Sequence, residues 1–110
     1  MPRTTAEKII RSSGNVFADM ELLDAAELDT KARLGGAINL IVERKHLTQA
    51  ELATALGINQ PKVSALLRYK LEGFSVERLM HFLVALGQDV EIVVRDKPRS
   101  RSARIAVKAA

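Results

Sequence analysis

Leu47 to Arg68 reads L-T-Q-A-E-L-A-T-A-L-G-I-N-Q-P-K-V-S-A-L-L-R, and this stretch decides the fold. Thr48 followed three residues later by Glu51 is a capping box, so it predicts a helix over Gln49–Leu56. Gly57 ends that helix, since glycine takes the left-handed turn conformation at no steric cost. Asn59 caps a second helix that runs to about Tyr69, and Pro61 sits in its first turn, where a missing N–H costs nothing. Two short helices joined only by Gly57-Ile58-Asn59 must cross steeply if both apolar faces are to be buried. Leu52, Ala53 and Leu56 supply one face; Ile58, Val63, Leu66 and Leu67 supply the other.

The side chains left outside carry the functional reading. On a helical wheel Val63, Leu66, Leu67 and Lys70 point one way. The opposite ridge collects Pro61, Ser64, Ala65 and Arg68, with Gln60 at the N-terminal end and Lys62 on the flank. That ridge is small, polar and basic, and nothing bulky bars it from a major groove roughly 12 Å wide. Gln60 can pair with adenine, Ser64 with either kind of partner, Ala65 with a thymine methyl, and Arg68 with guanine or a phosphate. Phosphate contacts are expected from Thr48 and Gln49, beside the free N–H groups of the first short helix, and from Lys62, Tyr69, Lys70 and Arg44. Between Arg44 and Lys70 five bases stand against Glu51 alone, a local charge of +4 that equals the net charge of the whole chain.

Outward from this pair the chain reads as more helix. Asp24 is a cap for a helix over Ala25–Lys45, with Leu28, Ala32, Ile38, Ile41 and Val42 spaced for one face. Gly35-Gly36 inside it costs about 1 kcal/mol per glycine, which suggests a kink or a close helix crossing. Ser75 caps a helix over Val76–Leu86, closed by Gly87. Met1–Gly14 is a frayed helix or an arm, and Asn15-Val16-Phe17-Ala18 a short strand or a plug carried by Phe17. Asp89–Arg95, D-V-E-I-V-V-R, is β-branched and reads as one strand. A lone strand needs a partner for its backbone, so Val90, Ile92 and Val94 are expected to pair across a two-fold axis in a homodimer.

The expected architecture is therefore all-α: five helices around an aliphatic core, with one C-terminal strand. Residues 1–23 form an N-terminal arm, 24–95 the helix-turn-helix domain, and 96–110 a basic disordered tail. Charge is uneven along this plan. Residues 15–29 carry five acids and no base, while 95–110 carry six bases against Asp96.

The motif Thr48-Gln49, Leu52-Ala53, Leu56-Gly57-Ile58 and Val63-Ser64 followed by Leu66 resembles the phage-repressor-like, or XRE, helix-turn-helix family. The resemblance implies a phage-repressor-like fold, a phosphate contact at Gln49, and base-facing positions at Gln60, Pro61, Ser64 and Ala65. The family's long polar side chains are absent at Pro61 and Ala65, so readout falls to Gln60, Ser64 and Arg68, or to DNA shape. More weakly, G-N-V-F-A-D, L-L-R-Y-K-L-E-G-F-S-V-E-R-L-M and A-L-G-Q-D-V-E-I-V-V resemble small antitoxins of the HigA type. That likeness implies an autorepressor that binds a palindromic operator as a dimer, and a basic RelE-type toxin as partner for the acidic segment Asp19–Asp29. Its alternative is a protein-interaction module whose main role is to neutralise such a toxin.

Other classes find little support. The chain has 110 residues, enough for one domain, and only four aromatic residues, too few for the stacking platforms of RNA binders. There is no cysteine, which excludes disulfides and thiolate chemistry and fits a reducing compartment. His46 and His81 have no second ligand at metal spacing, so no metal is expected, and nothing calls for a cofactor. No glycine-rich phosphate loop or nucleophile–base set suggests an enzyme. No apolar run spans a membrane, and a cytoplasmic, nucleoid-associated protein is expected.

Overall fold

The computed structural model describes residues 16–109, with side chains from 24 onward. Its first element, α1, runs Val16–Lys45 without interruption. Good helix formers occupy most of Val16–Leu28. The helix therefore propagates through Asp24, which is interior and not a cap. This corrects the expected start at Ala25 and the boundary between residues 23 and 24. It also corrects the strand read at 15–18, because Val16–Ala18 are the first turn of α1 and Asn15 lies outside the described residues; the Phe17 side chain, read as a plug, lies outside the described side chains. Met1–Gly14, read as a fifth helix or arm, likewise lies outside them.

Three short helices follow: α2 over Gln49–Leu56, α3 over Gln60–Leu67 and α4 over Val76–Ala85. Each has the N-cap that the sequence suggests, with Thr48, Asn59 and Ser75 accepting from the backbone N–H of Glu51, Lys62 and Arg78 at 3.1, 2.9 and 3.0 Å. All four helices also end alike. After α1 the N–H of Leu47 reaches the carbonyl of Val42; after α2, Ile58 reaches Ala53; after α3, Lys70 reaches Ala65; after α4, Gln88 reaches Leu83. These are Schellman closures, each needing a left-handed residue at its turn. Gly57 and Gly87 fill two of the four, at φ of 68° and 83°. His46 and Tyr69 fill the others, at 54° and 60°, and carry the steric cost that glycine avoids.

One aliphatic core joins the helices. Leu34, Ile38 and Ile41 of α1 meet Leu52, Val63, Leu66 and the α4 residues Leu79, Phe82 and Leu83, with Leu71 and Phe74 closing the loop between α3 and α4. α1 packs chiefly on α4, and α2 on α3. The α1–α4 pair is also tied at its end, where Lys45 Nζ donates to the Leu86 carbonyl at 2.9 Å, a cation on the negative end of a helix. Arg78 lies over the rings of Phe74 and Phe82 at 5.6 and 5.5 Å.

Gly35-Gly36 serves a close approach within an unbroken helix. A side chain at Gly35 would meet Leu71 Cδ1 at 3.3 Å and the Tyr69 ring at 3.6 Å, and one at Gly36 would meet Tyr69 Oη at 3.7 Å. The close approach is that of Leu71 to Gly35, while Tyr69 lies at ordinary contact distance from both glycine positions.

Among the described residues there is no strand. Asp89–Arg95 is irregular, because a ladder exists only between two chains or segments and no described segment pairs with this one. The expected five helices and C-terminal strand thus become four helices and an unpaired segment. Beyond it the chain turns at Arg99-Ser100 and comes back, so that residues 103–109 line a groove together with 88–97, α1 and α4. Val107 rests on the core. The stretch read as a disordered tail from residue 96 therefore has a defined course.

Candidate nucleic-acid interface

The α2–α3 pair is built by caps at one end and core at the other. Thr48 N–H donates to Glu51 Oε1 at 2.8 Å while Glu51 N–H donates to Thr48 Oγ1 at 3.1 Å, a complete capping box. The Thr48 backbone N–H, and then its hydroxyl, hold the Glu51 carboxyl below its ordinary value of 4.5. The box takes the amide of Glu51, leaving the N–H groups of the preceding first-turn residues, beside Gln49, directed at solvent. At α3, Asn59 takes the Lys62 amide and Pro61 has none to satisfy.

Burial sorts the two faces as the helical wheel does. Leu52, Val63 and Leu66 are fully buried, and Ala53, Leu56, Ile58 and Leu67 pack against them. Gln60, Pro61, Lys62 and Arg68 are exposed, and Ser64 and Ala65 are half-buried. The outward ridge of α3 is therefore accessible over its N-terminal turn and its last residue, and recessed at its middle. Its recessed positions hold the two smallest side chains, so no bulky group stands above the neighbouring surface.

The flanking candidates surround this ridge unevenly. Thr48, Gln49, Arg44 and Lys70 are exposed. Tyr69 is exposed as well, with its ring beside the glycine pair of α1. Among the described residues the ion pair is Arg33 with Asp29 at 2.9 Å, and His81 lies 3.7 Å from Glu77, a charge pair only when the imidazole is protonated. Arg44, Lys62, Arg68 and Lys70 have no carboxylate partner there. Their charge is unneutralised. Val90, Ile92 and Val94, the residues assigned to dimer formation, are all exposed and lie in the C-terminal segment, on a separate part of the chain.

A helix-turn-helix domain family matches residues 16–95. A solved structure named for the XRE family of transcriptional regulators is 66% identical, with a TM-score of 0.76, over 79% of this chain and 99% of its own. The chain belongs to the XRE-type helix-turn-helix family. No curated protein sequence matches it. The family match begins at Val16, the first residue of α1, and ends at Arg95. In this XRE-type protein the long first helix and the segment Asp89–Arg95 are thus parts of the domain, and the arm boundary drawn near residue 23 is not a boundary of the family.

One part of the site escaped the sequence reading. Lys45, one of the five bases between Arg44 and Lys70, spends its ammonium on the Leu86 carbonyl. Nothing local to Lys45 signals this, because its acceptor lies 41 residues away. No group of His or carboxylate side chains among the described residues could hold a metal, and no described helix is long and apolar enough to cross a membrane.

Proposed function

We propose that this chain is a sequence-specific, double-stranded-DNA-binding transcriptional regulator of non-catalytic type, acting in the cytoplasm on the nucleoid. The observation that carries the reading is the accessible α3 ridge, whose cations have no carboxylate partner among the described residues. α3 enters the major groove with Gln60 and Ser64 at base edges, Pro61 and Ala65 against apolar base surface, and Arg68 at a guanine or a phosphate. Thr48, Gln49, Lys62, Tyr69, Lys70 and Arg44 hold the backbone and set register. Two copies present two such helices about 34 Å apart to a near-palindromic operator, the strand segment with Val90, Ile92 and Val94 joining them. The family membership supports the reading, as does the name of the similar solved structure.

The test is a gel shift on the DNA upstream of the protein's own gene, competed with random duplex and with RNA. Retention against both competitors, and a protected site with dyad symmetry, is the expected result. Equal displacement by random duplex would remove sequence specificity; displacement by RNA alone would remove the major-groove reading.

A second reading has its own observation. Asp24 and Glu27 are exposed on α1 beside Leu28, which is also exposed, while Asp29 is paired with Arg33. An acidic surface with an apolar anchor suits a basic protein partner, and the resemblance to HigA-type antitoxins names a RelE-type toxin. Co-purification with the product of the adjacent gene checks it; absence of a complex removes the antitoxin role and leaves the regulator.

A further inference from the structure

Residues 97–104 read K-P-R-S-R-S-A-R: four bases, no acid, and between them only proline, serine and alanine. Their charge of +4 equals that of residues 44–70, so the chain carries two basic patches of equal strength, and the rest of it sums to −4. Only the first patch has a role in the function proposed above.

The second patch sits on a turn of defined course. The chain bends at Arg99-Ser100, and its two legs, 88–97 and 103–109, line a groove with Thr30, Leu34 and Ile41 of α1 and Val76, Met80 and Leu83 of α4. Val107 in the returning leg packs on the core. No residue of α2 or α3 lines that groove. Lys97, Arg99 and Arg104 are exposed and Arg101 is half-buried. None of the four has a carboxylate partner among the described residues. Arg101 Nη1 donates to the carbonyl of the neighbouring Ser102 at 3.0 Å, which leaves its charge uncompensated. Four like charges gathered on one turn repel one another, and an external polyanion removes that repulsion.

The chemistry of the turn says which polyanion. Three planar guanidinium groups match the paired oxygens of phosphodiesters, and the small side chains between them let a phosphate backbone come close. A membrane surface would call for apolar side chains to insert, and 97–104 holds none bulkier than Pro98. Single-stranded nucleic acid would call for rings on which bases stack, and the turn has no aromatic residue.

We propose that the turn 97–104 is a second, sequence-independent DNA contact, in which Lys97, Arg99, Arg101 and Arg104 hold backbone phosphates outside the stretch that α2 and α3 cover. The proposal rests on the DNA-binding reading above and adds to it a contact made from the α1–α4 side of the domain.

The test compares the full-length protein with a variant carrying Lys97→Gln, Arg99→Gln, Arg101→Gln and Arg104→Gln, whose fold far-ultraviolet circular dichroism verifies. The substitutions are expected to weaken binding about tenfold or more near roughly 50 mM salt, equally on operator and random duplex, and to lower the salt slope by about 3–4. A hydroxyl-radical footprint is expected to lose protection on the flanks of the site and to keep it over the site itself. Arg99→Lys, Arg101→Lys and Arg104→Lys together keep the charge and are expected to keep the slope. An unchanged slope overturns the proposal. So does a lowered slope with an unchanged footprint, the mark of net charge acting at a distance. Capture of the wild type by phosphatidylserine vesicles, lost in a variant that still binds DNA fully, would assign the turn to a membrane instead. A wild type that binds no duplex removes the regulator reading and this contact with it, whereas equal binding by wild type and variant removes the contact alone.

Discussion

The α2–α3 pair and the C-terminal segment 89–109 are of similar length and both rich in aliphatic residues, yet one is finished and the other is not. In α2–α3 every apolar face meets the core, both N-termini are capped and both C-termini close in Schellman turns. What remains exposed there is polar, basic or small, with Ala50, Ala55 and Pro61 as its only apolar members. In the C-terminal segment the exposure is reversed, with valines and isoleucine in water and the backbone unpaired. The difference teaches that burial in this chain follows period. A 3.6-residue repeat finds its partner three or four residues along and within a neighbouring helix, while a two-residue repeat finds one only across a ladder.

The largest effect that tests this contrast is on stability. Leu66→Ala in α3 removes a fully buried side chain and is expected to cost about 2–5 kcal/mol. Val94→Ala, equally apolar on paper, is expected to change monomer stability by less than about 0.5 kcal/mol, because the side chain is 92% exposed. Urea midpoints measured at a concentration where the protein is monomeric check both. A comparable loss at the two positions would erase the distinction between the regions.

A second pair separates kinds of exposure within the finished region. Gln60→Ala is expected to relax preference at one base pair, with about 1–3 kcal/mol less discrimination. Arg68→Ala, if Arg68 meets phosphate, is expected to weaken binding evenly on all duplexes and to lower the salt slope by about 1. Titrations of specific and random duplexes at several salt concentrations distinguish the two. If Arg68 meets guanine instead, its loss is confined to the operator.

How far the sequence could be read follows the same division. The caps Thr48, Asn59 and Ser75, the stops Gly57 and Gly87, and the inward faces of α2, α3 and α4 were legible because each depends on residues within five places of it. The start of α1 was not. Asp24 has the chemistry of a cap, and local pattern cannot tell a capping aspartate from an interior one when good helix formers precede it. His46 and Tyr69 were illegible as turn residues, since neither has the glycine that marks such positions, and Tyr69 lies there beside α1, more than thirty residues earlier in the chain. The return of residues 103–109 was masked by charge, for Arg104 and Lys108 flank its short apolar run and the arginines of 95–101 precede it, so the stretch reads as tail. The inward and outward faces of the α2–α3 pair, being local, were the most legible part, whereas the acceptor of Lys45, 41 residues away, was not legible at all.

The seam between α1 and the helix-turn-helix is where a smaller effect can be placed with its sign. Gly36→Ala is expected to stabilise by up to about 1 kcal/mol, because its new Cβ would sit 3.7 Å from Tyr69 Oη, ordinary contact, while the helix gains alanine's propensity. Gly35→Ala should gain less or lose, since its Cβ would press on Leu71 Cδ1 at 3.3 Å and Leu71 is buried. Thermal melts of the two variants, compared side by side, measure the difference. Equal gains at both positions would mean that Leu71 can yield, and that the seam is looser than the rest of the core.

The smallest effect belongs to the cap that begins the finished region. Thr48 holds the Glu51 carboxyl below 4.5, so in the folded protein it ionises more readily than in the unfolded chain. Its contribution is therefore fully present above about pH 4.5 and is lost as pH falls through the lower, folded value. Glu51→Gln keeps a side chain that can reach back to the Thr48 amide and removes only the charge. Urea midpoints of the wild-type and Glu51→Gln proteins should differ slightly at pH 6 and converge on acidification toward pH 3. The group is exposed and screened, so the gap must be small. Its direction is the test: a Glu51→Gln protein more stable than the wild type at pH 6, with the difference closing on acidification, would mean that the charge opposes the helix and that the hydrogen bond alone makes the cap.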